Sequence, residues 1–246
     1  MGGVSPRLPS LQGEPVGFAH PGASAEGLKD TLDGFQRALD MGATGLEGEV
    51  RLTADGVPVL IAGAKFGPAY RRRAIAKVNA SDLPDHIPTL GDLYQILEVD
   101  FPVSLDMKDP NAFGPTMELV RSVGQTTEPN LWLCHPDLAV LTQWRPQTTA
   151  RLINSARSQN LPSGLEQRAA ELAQLGLDGL KLFHREWAGG SVTLLHRFDL
   201  LALGWGTTHS REVAEVVDAG IDAVYSDHVD RMMAVIREYY GGDVTP

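Results

Sequence analysis

The chain is 246 residues long, 43% hydrophobic and 21% charged, and carries a formal net charge of −10. This is the composition of a globular protein with a sizeable core, and the acidic balance argues against nucleic acid or another polyanion as its main partner. A single cysteine, Cys134, excludes both an intramolecular disulfide and a four-cysteine metal site.

No run approaches the ~18 consecutive apolar residues of a membrane span. Residues 1–15 carry Gly, Ser and Pro without the apolar run of a secretory signal. The expectation is a cytoplasmic protein with no transmembrane segment. Short apolar runs, rich in branched residues, predict buried strands at 16–20, 44–52, 57–61, 103–107, 131–134, 149–154, 179–183, 200–205 and 223–226. The run at 57–61 follows the turn Thr53-Ala54-Asp55-Gly56, so it reads as a hairpin extension of the second strand.

Between the strands the apolar spacing is helical. Leu32, Phe35 and Leu39 form one such stripe; Val213, Val216 and Val217 form another; Val229, Met232, Met233 and Ile236 form a third. Asp30 or Thr31 is placed to cap the first helix, with Gly42 or Gly45 beyond its end. About eight strand–helix units in series, without a low-complexity linker, predict a single α/β domain over 1–246, a closed (β/α)8 barrel of the TIM type. The ends, 1–14 and 241–246, are expected to be flexible.

Barrel enzymes place their chemistry at the C-terminal ends of the strands. There this sequence has His20, Glu47, Glu49, Asp106, Lys108, His135, Asn154 or Ser155, His184, Trp205 and Asp227. Glu47 and Glu49 are two apart on one strand and share a face. With Asp106 they make three carboxylates at one mouth, a set of oxygen ligands for magnesium or calcium. A salt-bridge network with Lys108 and a nearby arginine accounts for the same residues equally well.

His20, His135 and His184 taken singly read as loop histidines with structural hydrogen bonds, His86 and His228 as surface or capping residues, and Cys134 as core. The run Arg71-Arg72-Arg73 reads as a solvated loop or, less commonly, as an anion clamp over the mouth.

Ala19-His20-Pro21-Gly22, Thr31-Leu32-Asp33-Gly34-Phe35 and Gly42-Ala43-Thr44-Gly45-Leu46-Glu47-Gly48-Glu49-Val50 resemble the opening motifs of the glycerophosphodiester phosphodiesterases. The resemblance continues through Leu52-Thr53-Ala54-Asp55-Gly56-Val57-Pro58-Val59, Ile87-Pro88-Thr89-Leu90, Ser104-Leu105-Asp106-Met107-Lys108 and Leu203-Gly204-Trp205. It closes on Ala219-Gly220-Ile221-Asp222-Ala223-Val224-Tyr225-Ser226-Asp227. The chain looks most like a bacterial branch with Asp in the third metal position.

The resemblance implies a divalent cation, Mg²⁺ or Ca²⁺, on Glu47, Glu49 and Asp106, with His20 and Lys108 in catalysis and a phosphate-bearing small molecule as substrate. Lys29, Trp205, His135, His184 and His209 are the candidates for contacting it. The departures are as informative. Pro21 stands where the family has a phosphate-binding Arg, Leu28-Lys29-Asp30-Thr31 replaces P-E-N-T, Glu49 replaces Asp, and Ile61-Ala62-Gly63 replaces the D-H-D that carries a second catalytic histidine.

Proline cannot supply the guanidinium's fork of donors, and general acid–base help is worth ~10²–10⁴-fold. Retained carboxylates beside a lost histidine and arginine point first to a repurposed metal-dependent enzyme acting on a phosphate or diphosphate compound, as in a biosynthetic step. The second reading is a pseudoenzyme that binds a ligand or partner. The third is a weak phosphodiester hydrolase with His184 or His209 as substitute.

Overall fold

The computed structural model describes residues 8–22, 29–98, 100–157, 159 and 161–241. Its strands are β1 (Val16–Ala19), β2 (Gly45–Leu52), β3 (Pro58–Leu60), β4 (Lys65–Phe66), β5 (Arg73–Ala74), β6 (Val103–Met107), β7 (Leu131–His135), β8 (Arg151–Ser155), β9 (Gly179–Phe183), β10 (Leu201–Thr207) and β11 (Ala223–Ser226). The helices are α1 (Leu32–Asp40), α2 (Leu90–Gln95), α3 (Phe113–Val123), α4 (Leu138–Trp144), α5 (Gly164–Gln174), α6 (Gly189–His196), α7 (Ser210–Asp218) and α8 (Val229–Tyr240).

Strands β1, β2 and β6 to β11 pair in parallel in that order, and β1 bonds to both β11 and β2, which closes the (β/α)8 barrel. As the turn at 53–56 predicts, β3 folds back antiparallel on the end of β2, with Val50 opposite Leu60. The short β4–β5 hairpin, which the sequence pattern does not announce, contains Arg73, whose guanidinium lies 5.8 Å from the Phe66 ring centre. No helix among the described residues is long and apolar enough to cross a membrane.

The strands read as continuous apolar runs because both faces are buried, yet the period of two still sorts the side chains. Leu46, Val50, Leu105, Leu133, Leu152, Leu180, Leu182, Ala202 and Val224 face the helices in one cluster. Phe18, Trp132, Cys134, Ile153, Leu201, Leu203, Ala223 and Tyr225 fill the barrel interior in another.

Phe18 stacks on Tyr225 with ring centres 4.8 Å apart and meets Trp132 edge-on at 5.3 Å, forming a fully buried aromatic plug. Gly45 belongs to this plug through its lack of a side chain, since a Cβ there would lie 2.5 Å from the Phe18 ring. Helix starts follow local capping chemistry. Thr31, rather than Asp30, caps α1 by accepting the Gly34 amide at 3.1 Å, and Thr89 with Asp92 forms a capping box at α2.

Asp222, fully buried at the barrel floor, gathers four donors. It accepts from Ser10 Oγ at 2.8 Å, Leu11 N at 2.7 Å, Ala202 N at 2.7 Å and His196 Nε2 at 2.9 Å. The Leu8 amide also donates to the Asp218 carbonyl at 3.3 Å. Of the stretch 1–14 that the sequence leaves loose, Leu8, Ser10 and Leu11 are thus tied to the floor, the last two by a buried carboxylate that requires their donors, while 1–7, and 242–246 at the other end, fall outside the described residues.

Removing a buried acceptor costs about 1–3 kcal/mol for each donor left without a partner. Asp222→Ala, which leaves several, is therefore expected to lower the unfolding free energy by about 3 kcal/mol or more, and Asp222→Asn, which keeps an acceptor oxygen, by less. Urea unfolding of the two variants checks the order.

Candidate active site

Period-two placement puts Glu47 and Glu49 of β2 inside the barrel, in register with Ser104 and Asp106 of β6. On the far side Lys181, the centre of β9, falls on the interior face because its neighbours Leu180 and Leu182 face the helices. The mouth above them is a cavity of about 470 Å³, whose walls include His20, Glu49, Asp106, Lys108, Lys181, Ser155, Arg157 and Trp205.

At β10 the register to β11 shifts between Trp205 and Thr207, leaving Gly206 as the extra residue at φ +83°. A Cβ there would meet the Phe183 ring at 2.6 Å, so glycine is needed for the bulge beside Trp205 in the cavity wall.

The charges interlock. His20 Nδ1 lies 2.8 Å from Asp227 Oδ1, and its Nε2 lies 3.7 Å from Glu47 Oε2. Lys181 Nζ lies 3.7 Å from Glu47 Oε1, 3.3 Å from Asp106 Oδ1 and 4.1 Å above the Tyr225 ring centre. Lys108 Nζ lies 2.9 Å from Glu49 Oε1 and 3.3 Å from Asp106 Oδ2, and Lys29 Nζ is 4.0 Å from Glu49 Oε2. Under the site, Ser104 Oγ bridges Tyr225 Oη at 2.9 Å and Cys134 Sγ at 3.5 Å.

Burial and partners set the protonation states. Burial drives the Glu47 carboxyl above the usual carboxylate range, with His20 and Lys181 pulling the other way. Burial acts on Asp106 in the same direction, but Lys181 and Lys108 outweigh it and keep it ionised below that range. For Lys181, burial opposes the charge, and Asp106 and Glu47 are among the groups that hold it firmly protonated. For His20, burial again disfavours the cation, but Glu47 and the bond to Asp227 prevail and raise its pKa above 6.5.

Three oxygens at the site, both of Glu47 and Oε2 of Glu49, are buried without a hydrogen-bond donor among the described residues. An unmet buried acceptor costs about 1–3 kcal/mol, so this arrangement is maintained at the expense of stability.

Of the residues predicted from sequence, the structure brings together His20, Glu47, Glu49, Asp106, Lys108 and Trp205, with Lys29 at the edge beside Glu49. Three histidines fall outside the cavity walls. His135 Nδ1 accepts the Asp137 amide at 3.0 Å and its ring leans edge-on to Trp144. His184 is buried against Phe183, 3.9 Å from Glu212. His209 is the exposed residue preceding α7, where its amide donates to Glu212 Oε2 at 3.1 Å. All three are engaged in local helix-start or loop packing.

Asn154 faces away, donating to the Pro136 carbonyl at 3.0 Å, so Ser155 is the β8 residue in the wall. Sequence reasoning missed Lys181 and Arg157 as site residues. A lysine in the middle of the apolar run Gly179-Leu180-Lys181-Leu182-Phe183 was the available signal, because nothing but a polar interior accommodates it. Arg157, in a loop, gave none.

Asp30, at φ +55°, receives the Ala62 amide at 3.4 Å, and Ala62 in turn accepts from Arg51 at 2.9 Å and 3.1 Å. The Ala62 backbone is thus held by Arg51 and Asp30. His20 is the one histidine in the cavity wall among the described residues.

The sequence model of the Glycerophosphoryl diester phosphodiesterase family matches residues 20–231, from His20 through α7 and into α8. The chain belongs to that family. A glycerophosphodiester phosphodiesterase of Caldanaerobacter subterraneus is 29% identical over 117 residues, 41% of this chain and 48% of that protein, so the alignment spans about half of the relative's length.

Among solved structures, the glycerophosphodiester phosphodiesterase of Thermotoga maritima matches with TM-score 0.78 at 20% identity, covering 90% of this chain and 98% of that one. An Oleispira antarctica phosphodiesterase in complex with its product sn-glycerol-3-phosphate matches with TM-score 0.78 at 19% identity, over 91% of this chain and 97% of that one. At these identities the two structures establish the shared barrel.

His20 gains its pKa from groups assembled only in the fold. The stability it contributes is fully present below pH ~6.5 and is lost as pH rises through the raised folded value. NMR titration of the metal-free protein is expected to show His20 titrating above the ordinary histidine range, and Asp227→Asn to bring it down.

Proposed function

We propose that this mouth binds a phosphodiester or diphosphate ester of a small molecule and transfers its phosphoryl group to a hydroxyl of the same molecule. The divalent cation, Mg²⁺ or Ca²⁺, would be held by Glu47, Glu49 and Asp106. The fit rests on the donor set: three carboxylates, with three buried oxygens lacking any other donor, match a hard cation's demand for oxygen ligands. No three His, Cys, Asp or Glu side chains among the described residues already close around a point, and ammonium groups stand between the carboxylates. Bound there, the ion supplies charge stabilisation at the phosphoryl oxygens.

The protein's own groups account for the rest. Lys108 and Lys29, with Arg157 on the opposite wall, attract and orient the anion. Asp227 fixes the His20 ring through Nδ1 and, with Glu47, favours its protonated form. His20 donates that proton to the departing oxygen, an alcohol from a phosphodiester or a phosphate from a diphosphate ester, as its P–O bond breaks, and recovers one from the attacking hydroxyl as the new O–P bond forms. An intramolecular nucleophile needs no separate base, because its proximity replaces much of what a second histidine would contribute.

The observation that carries this reading is the single histidine in a wall that otherwise keeps the family's carboxylates and lysine. A pseudoenzyme is the reading that Pro21 and Ala62 favour, and it predicts binding without turnover. Hydrolysis with His184 or His209 as the second acid draws no support from their positions outside the wall.

The test is ³¹P NMR of glycerophosphocholine, and in parallel of a diphosphate ester, incubated with the protein and Mg²⁺ or Ca²⁺. The expected product is a cyclic phosphate, with release of choline from the diester and of a phosphate group from the diphosphate ester. His20→Asn is expected to slow the reaction by ~10²–10⁴-fold, and Glu47→Gln or Asp106→Asn to abolish it. Ligand binding without product would establish the pseudoenzyme instead, and turnover unaffected by the carboxylate variants would rule out the cation site.

A further inference from the structure

Lys181 is the residue that a carboxylate cradle for a divalent ion does not call for. It is 4% exposed and in the middle of β9, so its backbone cannot shift without disturbing both neighbouring strands. Its ammonium is enclosed by Asp106 at 3.3 Å, Glu47 at 3.7 Å and the face of Tyr225 at 4.1 Å. These contacts use two of the three carboxylates that would ligate the ion.

Lys108 differs in kind. Its side chain is 34% exposed at the rim, 2.9 Å from Glu49 and 3.3 Å from Asp106, with a face open to an incoming anion. Lys181 has no such exit, and its positive charge is a permanent part of the cradle.

Given the cation reading above, on which this rests, we propose that Lys181 is a resident cation sharing Glu47 and Asp106 with the divalent ion, so that the ion binds weakly alone and tightly only together with a phosphate anion. Two cations drawing on the same carboxylates repel each other in a site with little water to screen them. A phosphate dianion adds the missing negative charge and brings oxygen ligands of its own. Linkage makes the effect reciprocal: the ion must raise phosphate affinity by the same factor.

The experiment titrates Mn²⁺ into the full-length protein, following free Mn²⁺ by electron paramagnetic resonance, with and without inorganic phosphate. Complexation by phosphate itself is subtracted from a protein-free titration. In the wild type, saturating phosphate is expected to tighten Mn²⁺ binding at least tenfold. Lys181→Met is expected to bind Mn²⁺ at least tenfold tighter than the wild type without phosphate, with the phosphate effect reduced. Lys181→Arg, which keeps the charge, is expected to remain weak.

Thermal unfolding gives an independent readout, because an ion that binds only the folded state raises Tm. Mn²⁺ alone should raise the Tm of Lys181→Met more than that of the wild type. Mn²⁺ affinity unchanged or weakened in Lys181→Met would overturn the proposal. If that variant does not fold, Lys181→Gln takes its place, and absence of phosphate coupling in the wild type overturns the proposal without either. Glu47→Gln separates the two levels. Mn²⁺ binding that this substitution leaves intact would mean the cation site itself is misassigned.

Discussion

An ammonium group confined between two carboxylates in the barrel interior is the interaction from which the site is organised. Lys181 holds Asp106 ionised, faces Glu47 from the side opposite His20, and rests on Tyr225. Burying any of these charges alone would cost several kcal/mol; together they are tolerated because each has an opposite charge within 4 Å. The compensation is incomplete, since Glu47 keeps two buried oxygens without donors. That residue of unmet bonding separates a site from a salt bridge.

The same balance separates the strand residues of the mouth from its loop residues. The carboxylates lie on strands, two residues apart on β2 and in register on β6, and are held by the sheet whatever the loops do. Pro21 and Ala62 lie in loops, and Asp30 and Arg51 engage the amide and carbonyl of Ala62. Loop positions of this kind can change while the sheet stays as it is.

The barrel was legible in the sequence because parallel strands buried on both faces leave unmistakable short apolar runs, and all nine predicted strands occur within a few residues of their expected positions. His20, Glu47, Glu49, Asp106 and Lys108 were legible because strand ends and period-two spacing fix where a side chain points. The three outlying histidines were not. Whether a loop side chain turns toward the mouth or back onto a helix start depends on tertiary partners such as Glu212 and Trp144, which no local pattern reveals. Lys181 is hidden for the opposite reason: its strand is plain, but a continuous apolar run masks the alternation that turns it inward.

The aromatic plug of Phe18, Tyr225 and Trp132 has a consequence for traffic. With these rings fully buried across the barrel axis, the cavity is closed at its floor, and whatever enters it does so from the mouth. Whatever binds deepest must arrive first and depart last. The topology of the barrel thereby imposes a sequence of events on a site whose residues, taken singly, imply none.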